Sequence, residues 1–390
     1  MKLKKSLENT FSKALDIIKS SPLREFDAYA SQREGVIKLT LGEPDFDTAD
    51  VIKKAIQTSL DNNRTHYSLN AGVLELRQAV AEMMKEKYNV DYTADEVIIT
   101  VGASAAIEHT ISALTNPGDT VLVTTPYFTF YDGCSYLNNC NVGYIDTLET
   151  DFKLTPELFE ENYKKYENVK AIVLNYPNNP SGVSYTKEEL LELANTFRKY
   201  DIFIISDEIY ADISYNYKHT SLTEIIPEQT ILITGLSKSH AMTGWRVGFI
   251  VAPQKAIQKI VVYHLFTVSG IPTFIQDAAV VALKDKESKE YTEKMIKTYT
   301  ERQKYLVPEL EKLGFKISGI DGAFYVFARI PKKYRTMKTM EFCKFLVKEA
   351  RVGLIPGTAF GESYDEYVRI SYATSIENLK EAVKRISQVL

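Results

Sequence analysis

The architecture of the chain is decided by residues 230–251, which read TILITGLSKSHAMTGWRVGFIV. Two apolar runs, Thr230–Thr234 and Val247–Val251, flank a polar segment that contains Lys238 and Arg246. Runs that are continuously apolar, rather than alternating with polar residues, are typical of strands buried on both faces, as in parallel sheets. The stretch therefore predicts two strands of a mostly parallel sheet, with a lysine and an arginine between them.

Five further runs of this kind lie upstream, separated by helical patterns: Val97–Val101, Thr120–Thr124, Asn141–Ile145, Lys170–Leu174 and Ile202–Ser206. Two helix starts are visible between them. Thr186 and Glu189 form a predicted capping box, and Thr155-Pro156 is typical of an N-cap followed by proline. This alternation predicts an α/β domain whose sheet of seven strands is flanked by helices.

The pattern changes after about residue 285. The elements predicted beyond it are the amphipathic helix Glu287–Leu313, the strand-like runs Gly314–Ile317, Ala323–Ile330, Val352–Ile355 and Tyr367–Tyr372, and the helices Thr339–Arg351 and Ser375–Leu390. They predict a smaller α+β domain. Since residues 1–45 do not fit the large sheet, the predicted division is a large domain over 46–285 and a small domain from 1–45 and 286–390.

The composition limits the partners that the chain can have. Its 390 residues include 47 Lys and Arg against 51 Asp and Glu, so no overall charge attracts it to nucleic acid or anionic membranes. Three cysteines, an odd and sparse number, fit a reducing compartment. No run approaches the roughly 18 apolar residues of a membrane span, and no metal-site spacing is present. We expect a cytoplasmic protein that binds small molecules, without a metal.

Polar residues follow the predicted strands at their carboxyl ends, where ligands bind in open α/β sheets. Gly102–Ala105 opens a helix, and its backbone N–H groups could bind a phosphate, although a tight turn would have the same sequence. Asn179 lies in the loop Asn175–Gly182, for which a plain surface loop is the alternative. Asp207 is either a buried carboxylate that needs a partner or the cap of the next element.

Lys238 and Arg246, taken alone, are more typical of a solvated surface than of a site. A lysine near a buried strand end can lose its proton through desolvation, and an arginine beside it suits a phosphate. Pyridoxal phosphate needs a lysine for its aldehyde, an acid for its ring nitrogen, a phosphate cradle, donors for its ring oxygen and an aromatic face. The chain offers, in that order, Lys238; Asp207; Gly102, Ala103 and Ser104 with Arg246; Asn179 with Tyr210; and Phe128.

Further short motifs occur along the whole chain. They are Leu41–Phe46, Tyr67 with Glu75–Arg77, Pro117–Asp119, Pro177–Pro180, Ser206–Tyr210, Ser237–Arg246 and Tyr367–Ser371. In their joint order and spacing, the chain resembles the class I pyridoxal-phosphate aminotransferases of fold type I. Within that class, Gly235–Met242 and Ile37–Pro44 are similar to two bacterial groups. These are the aromatic amino acid aminotransferases of lactic acid bacteria and the N-acetyl-diaminopimelate aminotransferases (aminotransferase A) of lysine biosynthesis.

The resemblance implies a role for each matching residue. Lys238 would bind the aldehyde of the cofactor and then move a proton, while Asp207 would pair with the ring nitrogen. Asn179 and Tyr210 would contact the ring oxygen, and Phe128 would stack on the ring. The phosphate would be bound by Gly102, Ala103, Ser104 and Arg246. The substrate would be contacted by Gly42, Asn179 and Arg369, with Arg369 binding its α-carboxylate.

Two further implications concern the phosphate. Tyr67 would reach it from the neighbouring subunit, which implies a homodimer with shared active sites. Many relatives have a serine where this chain has Gly235, and Ser237 would take over part of that contact.

The implied reaction is a ping-pong transamination between an L-amino acid, with an aromatic one favoured, and a 2-oxo acid such as 2-oxoglutarate. Three alternatives stay open: N-acetyl-L,L-diaminopimelate as the donor, a carbon–sulfur β-lyase on the same scaffold, and a cofactor-binding regulatory domain without turnover. The sequence leaves the side-chain specificity open, because no residue can be assigned to a distal carboxylate.

Overall fold

The computed structural model of the protein describes residues 1–18 and 22–390. The strands are β1 Ile37–Lys38, β2 Val97–Val101, β3 Thr120–Thr125, β4 Asn141–Asp146, β5 Val169–Asn175, β6 Phe203–Asp207, β7 Thr230–Gly235, β8 Val247–Val251, β9 Lys316–Ile317, β10 Tyr325–Arg329, β11 Val352–Gly353, β12 Ile355–Pro356 and β13 Tyr367–Ser371. The α-helices are α1 Ala14–Ile17, α2 Pro22–Ser31, α3 Asp50–Asp61, α4 Leu74–Tyr88, α5 Gly102–Leu114, α6 Tyr131–Leu137, α7 Pro156–Tyr163, α8 Lys187–Phe197, α9 Gln254–Thr267, α10 Thr273–Lys284, α11 Lys286–Lys312, α12 Thr339–Phe345 and α13 Ile376–Ser387.

The large sheet has seven strands in the order β2-β8-β7-β6-β5-β3-β4. Neighbouring strands are parallel except for β8, which runs antiparallel to both β2 and β7. All seven predicted runs form strands, so the mostly parallel sheet is confirmed. Because β8 runs against its neighbours, its amino end lies at the edge where β5, β6 and β7 have their carboxyl ends.

Burial on both faces explains why the strands are continuously apolar. In β8, Val247, Phe249 and Val251 pack into one hydrophobic cluster, together with residues of α4 and α10. Ile250 points to the opposite face and packs with residues of α5 and α9. Both predicted helix starts are also present, since the side chains of Thr155 and Thr186 accept hydrogen bonds from the first turns of α7 and α8.

A smaller antiparallel sheet, with the order β12-β13-β10-β9, forms the carboxyl-terminal part of the fold. The run predicted as one strand over Val352–Ile355 is two strands, because β11 pairs in parallel with β1 while β12 pairs with β13. The β1–β11 pair links residues 37–38 to this part. The domain boundaries at residues 46 and 285 stay a prediction.

The helix predicted over Thr339–Arg351 is α12 followed by a π-helical turn over Leu346–Ala350, and it ends where Arg351 adopts a left-handed φ of 55°. Within residues 1–18 and 22–390, none of the helices has the length and hydropathy needed to cross a bilayer.

Candidate active site

A cavity lies at the edge of the large sheet where β5, β6 and β7 end and β8 begins. Its wall contains eleven of the predicted site residues: Gly42, Ala103, Ser104, Phe128, Asn179, Asp207, Tyr210, Ser237, Lys238, Arg246 and Arg369. Gly102 lies directly beside it as the first residue of α5. Only Tyr67 lies elsewhere. Apart from Tyr67, the predicted residues are therefore brought together from both sheets by the fold.

Asp207 is the last residue of β6 and is only 3% exposed. Its Oδ2 accepts a hydrogen bond of 2.7 Å from the hydroxyl of Tyr131, and its Oδ1 accepts one of 3.2 Å from the backbone N–H of Ile209. Burial raises the pKa of the Asp207 carboxyl to about 6, although both hydrogen bonds act against this rise. A cationic group in the cavity would hold this carboxyl in its charged form.

The neighbouring carboxylate, Glu208, points to the other side of the strand, as the alternation of side chains predicts. It is fully buried, and its oxygens accept hydrogen bonds from Tyr176 and Ser221 and contact His219. Asp207 is therefore the acidic residue of this strand that faces the cavity.

Lys238 follows β7 and projects into the cavity, where its Nζ donates a hydrogen bond of 2.6 Å to the backbone carbonyl of Gly42. Burial lowers the pKa of Lys238 to about 8, and the nearby cations Arg369 and Arg246 lower it further, while Glu43 raises it. Close to neutral pH, a useful fraction of this amine is unprotonated and can act as a nucleophile.

The start of α5 has the features of an anion-binding site. Gly102 has a φ of 72°, and a Cβ added to it would lie 2.6 Å from Nη2 of Arg246. A Cβ on Gly248 would likewise lie 2.6 Å from the backbone nitrogen of Ala103. The two glycines thus allow the guanidinium and β8 to pack against the helix start. A phosphate there would meet free N–H groups, the positive end of α5 and an arginine.

Ser237, and not Gly235, is at the cavity. A Cβ on Gly235 would lie 2.6 Å from the carbonyl oxygen of Val247 and 2.9 Å from Cα of Gly248. The tight pairing of β7 with β8 therefore excludes a side chain at position 235, and a serine hydroxyl for the cavity can come from position 237.

Arg369 lies on β13 at 1% exposure, with its guanidinium 4.5 Å from the ring centre of Tyr325 and 5.0 Å from that of Phe360. Nη1 donates to Oδ1 of Asn179 at 2.9 Å, and Nη2 donates to the backbone carbonyl of Thr40 at 2.6 Å. Its Nε has no hydrogen-bond partner among residues 1–18 and 22–390. A buried donor without a partner is costly, so the guanidinium suits an anion such as a carboxylate.

Four polar residues of the cavity wall were missed from the sequence: Tyr131, Asn175, Thr243 and Tyr325. Tyr131 lies three residues after Phe128, at the start of α6. Asn175 donates to the carbonyl of Asp207 at 2.9 Å and accepts from the backbone of Asn179 at 2.8 Å. The hydroxyl of Tyr325 lies 2.9 Å from that of Tyr210. The density of Asn residues after β5 was a signal for Asn175, whereas Tyr325 comes from the small sheet and had none.

Tyr67 is 98% exposed and lies outside the cavity. Its loop is held against α9 and α10 by three hydrogen bonds: from Thr273 to the carbonyl of His66, from Gln276 to Ser68, and from Asn70 to the carbonyl of Val261. The side chain is thus presented outward from an anchored loop, and within this chain it has no contact with the cavity.

The donor set of the cavity fits pyridoxal phosphate. The glycine-lined start of α5, with Ser104, Ser237 and Arg246, could hold the phosphate, and Asp207 could face the ring nitrogen. Lys238 supplies an amine of lowered pKa, and the unpartnered Nε of Arg369 supplies a binding group for a carboxylate.

Comparison with known proteins gives a consistent family. Residues 34–386 match the family model described as aminotransferase class I and II. The chain is 41% identical to an aspartate aminotransferase of Pyrococcus horikoshii, over 96% of this chain and 95% of that one. It is 38% identical to a probable N-acetyl-LL-diaminopimelate aminotransferase of Bacillus subtilis, over 95% and 93%. The crystal structure of an aromatic aminotransferase from Pyrococcus horikoshii OT3 superposes with a TM-score of 0.87 at 37% identity, covering 94% of this chain and 98% of that one.

Proposed function

The chain belongs to the family of class I and II aminotransferases and is a pyridoxal-phosphate-dependent enzyme, and from this premise we propose that it transfers the amino group of an aromatic L-amino acid to a 2-oxo acid such as 2-oxoglutarate. The composition of the cavity wall carries the proposal. Its described cations are Lys238, Arg246 and Arg369, and its apolar and aromatic members include Leu23, Ile107, Phe128, Ile209 and Tyr325.

Each of the three cations has a proposed role that does not involve the side chain of the amino donor. Arg246 binds the phosphate, Lys238 reacts with the aldehyde, and Arg369 binds the α-carboxylate. The side chain of the donor would then meet the apolar and aromatic part of the wall, which favours phenylalanine or tyrosine over aspartate. The name of the aromatic aminotransferase of Pyrococcus horikoshii supports the same substrate class.

The proposed mechanism assigns binding, orientation and proton transfer to separate residues. The bound cofactor supplies a covalent link to the amino group and an electron sink for the pair released at Cα. Arg369 fixes the α-carboxylate through its fork of N–H groups, and Asp207 keeps the ring nitrogen protonated. Asn179 and Tyr210 donate to the ring oxygen. Lys238, whose pKa of about 8 leaves part of it neutral, takes the proton from Cα as a general base.

The substrate proposal predicts the order of amino donors. With 2-oxoglutarate as acceptor, we expect kcat/KM for phenylalanine and tyrosine to exceed that for aspartate, lysine and N-acetyl-L,L-diaminopimelate by at least about tenfold, since an apolar contact typically discriminates by ~1–3 kcal/mol. A panel of steady-state rates measures this order. The matched variant is Leu23→Ala, which shortens one apolar side chain of the wall. It should lower kcat/KM about tenfold when phenylalanine is the donor and leave kcat/KM nearly unchanged when free L-alanine is the donor. Aspartate as the best donor would contradict the proposal.

The second candidate donor is N-acetyl-L,L-diaminopimelate, favoured by the relative of that name in Bacillus subtilis. The donor panel separates it from the aromatic amino acids. A carbon–sulfur β-lyase is a third candidate, because Arg369 would bind the same α-carboxylate. Incubation with an amino acid alone distinguishes them, since an aminotransferase stops after one burst of the amino form of the cofactor whereas a lyase continues to release product.

We further propose that the enzyme is a homodimer whose active sites are shared. Exposed apolar side chains occur on the loop of Tyr67 and on α9, against which this loop is held: Leu69 on the loop, and Val262, Leu265 and Phe266 on α9, with Phe266 83% exposed. A second copy of this chain, related by a two-fold axis, would cover this patch and receive Tyr67 beside its phosphate site.

Shared sites predict complementation between two defective variants. When Lys238→Ala and Tyr67→Ala dimers exchange subunits at equal amounts, each heterodimer has one site with both lesions and one intact site. We expect activity to recover to about a quarter of the wild-type value, because half of the dimers are then mixed. The matched control is a mixture of Lys238→Ala with Asp207→Ala, whose lesions leave no intact site in the heterodimer. Equal recovery in both mixtures, or none after demonstrated exchange, would contradict shared sites.

A further inference from the structure

Tyr131 is the first residue of α6 and is 2% exposed, with no part in the sequence motifs. Its hydroxyl lies 2.7 Å from Oδ2 of Asp207, and its ring packs edge-to-face against Phe128 with the ring centres 6.0 Å apart. Both Tyr131 and Asp207 belong to the cavity wall. The proposed stacking residue and the proposed acid of the cofactor are thus joined by a single buried tyrosine.

We propose that Tyr131 is a positioning residue that holds Asp207 as a carboxylate and thereby keeps the proton on the ring nitrogen of the cofactor. The inference rests on the proposed function, since it assumes that Asp207 faces that nitrogen. Tyr131 itself need not touch the cofactor, because it acts through the hydrogen bond to Oδ2.

Among the groups around Asp207, we assign to Tyr131 the role of keeping it ionised. From the segment after β7, Lys238 faces it, but this amine is engaged in chemistry during turnover. From its own chain segment, Glu208 opposes the ionisation of Asp207, and Tyr210 bonds to Tyr325 instead. Two donors to the carboxylate oxygens are independent of the catalytic cycle, the Tyr131 hydroxyl and the N–H of Ile209, and the former is the shorter bond.

The expected change in ring protonation follows from how one proton is shared between the Asp207 carboxylate and the ring nitrogen. Burial and the nearby carboxylate keep the pKa of Tyr131 well above 10, so its hydroxyl remains a neutral donor throughout the working range. Among the influences on Asp207, the Tyr131 hydrogen bond is the largest of those that lower its pKa. Without this donor, the carboxylate becomes more basic, and the proton between it and the ring moves from nitrogen to oxygen. A neutral ring is a weaker electron sink.

The test compares Tyr131→Phe with wild type as holoenzymes reconstituted with pyridoxal phosphate labelled with ¹⁵N in the ring. The ¹⁵N chemical shift reports protonation of that nitrogen directly and does not depend on activity. We expect the wild-type signal to be that of a protonated ring and the Tyr131→Phe signal to move toward that of a neutral ring. Turnover should fall about tenfold to a hundredfold, as for the loss of a hydrogen bond to a charged group, with the KM for the donor little changed.

Two further variants keep the test decisive. Tyr131→His retains a donor and should restore the protonated signal, while Tyr136→Phe removes a hydroxyl from the same helix at its exposed contact with Tyr144 and should change nothing. If the ring nitrogen in Tyr131→Phe gives the same protonated signal as wild type, the role of Tyr131 is overturned and that of Asp207 is not. A neutral ring in wild type would overturn the role of Asp207 and, with it, that of Tyr131.

Discussion

Replacing Lys238 by alanine is expected to abolish transamination, with a loss of at least roughly 10⁴-fold in kcat, because in the proposed mechanism one amine serves both as the covalent anchor and as the general base. No other lysine of the described cavity can replace it, since Lys238 is the single lysine in the wall. The variant should still bind pyridoxal phosphate without a covalent bond, because the start of α5, Arg246 and Asp207 remain.

The rate of the first half-reaction measures this effect most cleanly, followed by absorbance after a single addition of amino donor. Lys259→Ala is a suitable control, because this lysine is exposed on α9 and away from the cavity. A Lys238→Ala variant that retained even one-hundredth of the wild-type rate would show that another group abstracts the proton.

Asp207→Asn is expected to produce the second-largest loss, roughly a thousandfold in kcat, while the affinity for the amino donor changes little. The side chain keeps its shape and loses the charge that we propose stabilises a protonated ring nitrogen. Two opposite charges about 4 Å apart interact by about 4 kcal/mol at an effective dielectric constant near 20, which corresponds to this factor in rate. The loss should appear in kcat, because the electron sink matters most in the carbanion-like transition state.

Single-turnover kinetics separate the chemical step from donor binding in this variant. Asp207→Glu keeps the charge and should retain more activity than Asp207→Asn. Near-normal turnover in Asp207→Asn would require the proton on the ring nitrogen to be held by a different group.

The large sheet was predictable from the sequence because burial on both faces leaves an unbroken apolar run. All seven runs from Val97 to Val251 became strands. The antiparallel direction of β8 was not predictable, since an apolar run has no marker of direction. That direction matters for the site, because it places Arg246, which precedes β8, at the same edge as Asp207 and Lys238.

The residues of the cavity wall that follow strands in the sequence could also be expected to lie close together, because strand ends converge at one edge of the sheet. Tyr325 could not be predicted in this way. It comes from a different sheet and enters the cavity through tertiary packing, where its hydroxyl would lie 2.8 Å from a Cβ on Gly42. The glycine in the motif Leu41–Phe46 is therefore explained by a residue almost three hundred positions away, which no local pattern reveals.

The central claim is that Lys238 is the residue that binds the aldehyde of pyridoxal phosphate. Reduction of the purified holoenzyme with borohydride, followed by proteolysis and mass spectrometry, tests it most directly, because reduction fixes the cofactor on the lysine that holds it. We predict one modified peptide, with the pyridoxyl group on Lys238 and none in the Lys238→Ala variant. Modification of another lysine with Lys238 unmodified would contradict the account.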